Sequence, residues 1–163
     1  MKITKQKGFS LIELLIVVAI ILIIAAIAIP NLLRARMAAN ESSAVGSLRT
    51  INTSEVTYYT TYGVGFTTLA NLGGSAATCA TTATSTAACL IDATLAAGSK
   101  SGYTISVVAT VGTVALPTAT YTDLGVPVVV GQSGQRGFFS DQSGVIRYTT
   151  DGSAPTVASP ALQ

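Results

Sequence analysis

From Phe9 to Ile29 the chain is apolar except for Ser10 and Glu13, and this run restricts its fold more than any other feature. As a helix rising about 1.5 Å per residue it reaches roughly 32 Å, enough to cross the hydrocarbon of a bilayer. Lys2, Lys5 and Lys7 all precede the run. The positive-inside rule then keeps the N-terminus cytoplasmic and sends the remainder across. The alternative is a secretory signal, cleaved after the apolar run near Ala25, Ala26 and Ala28. An acidic residue inside the run argues against it.

That residue, Glu13, is costly in hydrocarbon unless it is neutralised, protonated or paired. Taken alone, it fits an interfacial position or a pair within its own chain as well as a pair with another subunit. Pro30 closes the run, where it removes a backbone donor and crowds the preceding turn, so a kink or local opening is expected. Beyond it, Leu33, Met37, Ala44, Leu48, Ile51 and Tyr58 recur mostly at helical spacing. Arg34, Arg36, Asn40, Glu41, Arg49, Asn52 and Glu55 read as the polar surface between them. One helix from about Phe9 to Tyr62 is expected, with Gly63 and Gly65 as stop signals.

Gly8-Phe9-Ser10-Leu11-Ile12-Glu13-Leu14-Leu15 resembles the prepilin processing motif shared by type IV pilins and type II secretion pseudopilins. The resemblance runs through about Tyr62, taking in the basic leader, Glu13, Pro30 and the second helical stretch; beyond that it becomes general. It implies that a membrane-embedded prepilin peptidase and methyltransferase cuts between Gly8 and Phe9 and N-methylates Phe9. It implies that Glu13 meets the new amine of a neighbouring subunit, neutralising both charges and setting the axial register. Phe9, Glu13 and Pro30 are therefore expected assembly residues, with the helix near Pro30 opening as a subunit enters the filament. The implied fold is α+β, a type IV pilin fold with a long helix packed on a small antiparallel head. Its parts are a leader (1–8), a transmembrane and filament-core segment (9–29), an amphipathic continuation (30–62) and a globular head (63–163).

The chain has nine basic and seven acidic side chains; removing the three leader lysines leaves six against seven. The basic balance is thus a property of the leader. Lys100 and the five arginines form no run with interleaved aromatics, so a nucleic-acid surface is not supported.

In the head, Tyr103–Val108 alternates as an antiparallel strand should. Further strand candidates are Thr118–Thr122, Val126–Val130, Gly137–Ser140 and Val145–Thr149, with a turn at Asp141-Gln142-Ser143-Gly144. Pro117 and Pro127 suggest strand edges or entrances. Between Gly73 and Ala88 the sequence is almost wholly Gly, Ala, Ser and Thr around Cys79, composition suited to an exposed loop. Its hydroxyls are candidates for sugar attachment, and an unmodified solvated loop is the simpler reading. Cys79 and Cys89 are the only cysteines, and export to an oxidising compartment predicts a disulfide between them. They form no CxxC redox motif and, without histidine, make a poor metal site.

Absence of histidine also removes Ser-His-Asp and Cys-His mechanisms. Asp92, Asp123, Asp141 and Asp151 remain as possible carboxylate groups, and surface turns account for Asp141 and Asp151. No Gly-rich nucleotide loop with a lysine is present. No catalytic residue, cofactor or metal is expected. The functional expectation is a homopolymeric type IV pilus subunit, held in inner-membrane lipid with its head outside the cytoplasm and then assembled into an extracellular filament. Adhesion, twitching motility or DNA uptake would be its uses. The implied partners are a platform protein, an assembly ATPase and minor pilins. A pseudopilin of a short secretion filament and a membrane-anchored binding module are the alternatives.

Overall fold

The computed structural model describes residues 8–80, 82–109 and 120–162. The lysine leader and the expected strand residues Thr118 and Ala119, with Pro117 before them, lie outside this set. The chain divides into two compact units, residues 1–35 and 36–163.

The described part of the first unit is Gly8–Ser10 followed by the start of helix α1, Leu11–Tyr62. The Leu14 N–H donates to the Ser10 carbonyl at 3.2 Å as the helix begins. Leu11 to Ile29 is almost wholly branched or aliphatic, and its large side chains are exposed. Of the described residues, α1 alone has a stretch long and apolar enough to cross a membrane. Helical conformation continues through Pro30 rather than breaking there. The proline withholds only its own N–H, and the turns on either side carry the helix past it.

In the second unit α1 buries Glu41, Ala44, Ser47, Leu48, Ile51, Ser54, Glu55 and Tyr58. Three- and four-residue steps place them on one face. Leu33 is exposed and Met37 half-buried, so the buried stripe begins later than the apolar periodicity suggested. Glu41 and Glu55, read as surface, are in fact buried. The helix ends as expected: Gly63 takes φ +66° and its N–H reaches the Tyr59 carbonyl at 3.0 Å.

Three short helices follow, α2 (Leu69–Leu72), α3 (Ala76–Cys79) and α4 (Ala93–Ala96), the last capped by the Asp92 carboxylate on Leu95 N–H. The sheet is an antiparallel meander of β1 (Ser99–Lys100), β2 (Tyr103–Val108), β3 (Thr122–Pro127), β4 (Gly137–Asp141) and β5 (Arg147–Thr149), in that spatial order. Tyr103, Ile105, Phe138, Leu72 and Leu95 join Leu48, Ile51 and Tyr58 in one apolar core. Helix and sheet together form an α+β, type IV pilin-like architecture.

Among the described residues, one strand stands where two were expected between Thr118 and Val130. β3 starts at Thr122 and its last pair is Pro127 with Tyr103. Val128–Val130 then leave the sheet for a turn, where Ser133 Oγ donates to the Val129 carbonyl and accepts from its N–H, both at 3.0 Å. The final hairpin is present, with Ser143 N–H on Asp141 Oδ1 at 2.8 Å. Its second strand is three residues long. Ile146 joins the core instead, and its carbonyl accepts from Leu162 N–H at 2.7 Å.

Candidate functional site

The sequence-expected processing and assembly residues lie in the first unit. Gly8, Phe9 and Ser10 precede the helix and are exposed, and a side chain added at Gly8 would meet nothing within 4 Å. Glu13 sits in the first turn of α1, also exposed, four residues beyond Phe9. A carboxylate suits this end, where unpaired N–H groups give the helix a partial positive charge. Pro30 lies within the same helix. What this arrangement offers is a row of solvent-facing apolar side chains with one acidic group at its start.

Cys79 and Cys89 form a disulfide, their Cα atoms 5.7 Å apart. The composition-poor segment around it is organised by backbone bonds rather than by side-chain mass. Ala88, Cys89 and Leu90 donate to the carbonyls of Asn71, Gly73 and Leu72, each at 2.8 Å. Gly74 is required by a close approach: a Cβ there would lie 2.8 Å and 2.9 Å from the two sulfurs.

Two polar constellations in the head escape any reading of local pattern. In one, Glu41 Oε1 accepts the N–H groups of Gln135 and Arg136 at 2.9 and 3.2 Å, while Oε2 pairs with Arg136 Nε at 2.8 Å. Burial acts to raise the Glu41 carboxyl, but these bonds outweigh it and hold it below the ordinary range. The Arg136 guanidinium also lies over the rings of Phe138 and Tyr148, 5.6 and 5.8 Å from their centroids. With Asn40 Nδ2 donating to the Ser133 carbonyl at 2.8 Å, one turn of α1 fastens the 131–136 segment.

The other joins α1 to the middle of the sheet. Asn52 Nδ2 donates to Ser140 Oγ and Tyr121 OH donates to Asn52 Oδ1, both at 2.8 Å. Beside them Glu55 Oε2 accepts the Thr67 N–H at 2.9 Å. Asp123, in β3, is fully buried with both carboxylate oxygens unpartnered. Only a signal of long-range pairing could have placed these groups together, because the residues are up to 88 positions apart. Among the described residues no group of three or more His, Cys, Asp or Glu is arranged to hold a metal.

Residues 3–29 match the family described as "Prokaryotic N-terminal methylation motif". The chain is 69% identical over 36 residues to the type IV wide pilus major component PilA4 of Thermus thermophilus, covering 22% of this chain and 28% of that protein. It is 44% identical over 55 residues to the type IV major pilin protein PilA of Myxococcus xanthus, covering 34% of this chain and 25% of that one. Each match therefore spans about a quarter of the relative's length. No solved structure matches the chain. The chain carries the N-terminal methylation motif at the head of a pilin-like α+β architecture, and over that helix it is similar to type IV major pilins.

Proposed function

We propose that this protein is the structural subunit of a type IV pilus, cleaved between Gly8 and Phe9, methylated on Phe9, and polymerised through α1 into a surface filament. The observation that carries the reading is the exposed apolar stretch of α1, with Glu13 as its one acidic side chain, directly behind the methylation motif. So much apolar surface requires lipid or other copies of itself to cover it. A bilayer holds the precursor by this helix, and neighbouring helices replace the lipid on assembly. Glu13 pairs with the Phe9 amine of the adjacent subunit, which neutralises two charges that hydrocarbon would otherwise exclude. Pro30, already short of one donor, is where the helix opens during packing.

The role is structural rather than catalytic. A prepilin peptidase and methyltransferase process the chain, and a platform protein with an ATPase lifts it from the inner membrane, with minor pilins as further partners. Adhesion, twitching motility and DNA uptake are the uses a filament of this type would serve. The similarity to two major pilins favours this reading over a secretion pseudopilin or a membrane-anchored binding module.

The test compares sheared surface fibres with membranes from cells carrying the wild-type chain or Glu13→Gln. Wild-type protein is expected in the fibres, and the Glu13→Gln variant is expected to stay in the membrane. Wild-type protein found only in membranes would refute the filament role. Fibres of normal yield from the variant would refute the Glu13 pairing.

A further inference from the structure

We propose that Asp123 and Glu55 form a proton-binding site within the head, at least one of them held as the neutral acid when α1 is docked on the sheet.

Asp123 lies directly opposite Ser140 in the β3–β4 ladder, and residues so paired project from the same face. The Ser140 hydroxyl is bonded to Asn52 of α1, so this face, Asp123 included, looks toward the helix. Asn52 and Glu55 are three residues apart on α1 and share a flank. Glu55, Asp123 and Ser140 have no exposed surface.

The local donors are committed elsewhere: the Tyr121 O–H to Asn52, and the Asn52 amide to Ser140. Thr67 N–H satisfies Glu55 Oε2, but Glu55 Oε1 and both oxygens of Asp123 have no partner. An ionised carboxylate left dry without donors is strongly disfavoured, whereas a carboxylic acid brings its own O–H donor. Of the groups acting on Asp123, its own backbone N–H is the one that opposes this, and it does not outweigh burial. Glu55 from α1 and Asp141 from β4 are both acidic, and no positive charge acts on it. Val107, its partner in β2, is aliphatic, and Tyr121 ahead of β3 is itself pushed up, by burial and then by Asp123, Glu55 and Asp141.

Burial first, joined by these acidic neighbours, pushes the Asp123 carboxyl up to about 7 against the lowering effect of its own backbone N–H. Burial pushes Glu55 up to about 7 against the opposing Thr67 bond. Folding therefore takes up protons. The contribution is fully present below the unfolded values, 3.8 for Asp and 4.5 for Glu, and is lost as pH rises through about 7. A divalent cation is the competing occupant, although such ions take about six or more oxygen ligands.

The test uses the full chain in detergent micelles, with 13C-labelled Asp and Glu carboxyl groups. Urea unfolding is followed from pH 5 to 7 in EDTA. The unfolding constant is expected to rise about tenfold per pH unit for each proton held. Asp123→Asn is expected to flatten that slope. If the variant does not fold, the wild-type carboxyl resonances decide: one or both groups still protonating above pH 6 support the site, and ionised shifts for both at pH 5.5 overturn it. A flat wild-type profile overturns it as well. So does recovery of stability at pH 8 on adding millimolar calcium or magnesium, which would assign the pocket to a metal.

Discussion

At the scale of single residues, the head is held by side chains whose polarity conceals their position. Glu41 accepts two backbone N–H groups and an arginine, so Glu41→Ala leaves buried donors without an acceptor. The expected loss is about 1 to 3 kcal/mol in urea unfolding, with a smaller loss for Glu41→Gln, whose carbonyl still accepts. Its depressed carboxyl contributes stability above the unfolded value of 4.5, lost as pH falls below it. Asp123 and Glu55 act with the opposite sign, so head stability should peak on the acid side of neutrality, at about pH 5. Thermal unfolding across pH 3 to 9 checks this, and an optimum at pH 8 would contradict it. Gly74→Ala forces a methyl onto both sulfurs and is expected to cost about 1 to 3 kcal/mol, read as a lowered melting temperature. Helical spacing alone placed Leu48, Ile51 and Tyr58 inside but put Glu41 and Glu55 outside. Periodicity counts apolar residues, and it is blind to a carboxylate whose donors come from chain segments 12 to 95 positions away.

At the scale of elements, legibility follows how local each cause is. Helix α1 is written in composition and closed by Gly63, and β2 in strict alternation, so both lie where the residues place them. The Asp141–Gly144 turn carries its own side-chain bond and is equally readable. β3 is not, because Val128–Val130 has the composition of a strand while Ser133 draws it into a turn. The segment from Gly73 to Ala88 looks structureless for want of bulk, yet its return past Asn71–Gly73 is fixed by backbone bonds and the disulfide. Reducing Cys79–Cys89, which closes a loop of separation 10, should cost the head about 2 to 3 kcal/mol. Unfolding with and without reductant measures it; unchanged stability would mean that the backbone bonds alone hold the loop.

At the scale of the whole molecule, the chemistry that specifies function is concentrated before Ile29 and the chemistry that specifies the head comes after Ala39. The methylation motif and the exposed apolar stretch of α1 support the proposed assembly role, and the disulfide and buried polar contacts hold the head together. The methylation motif was legible because it is a local signal, confined to a short run of residues. A filament's symmetry is a relation between copies, which no pattern within one chain encodes. The most direct measurement is mass spectrometry of the major protein in sheared surface fibres, recording its N-terminal residue. The account predicts abundant chain beginning at N-methylated Phe9. Fibres lacking this chain, with the processed protein confined to the membrane while it is expressed, would contradict it.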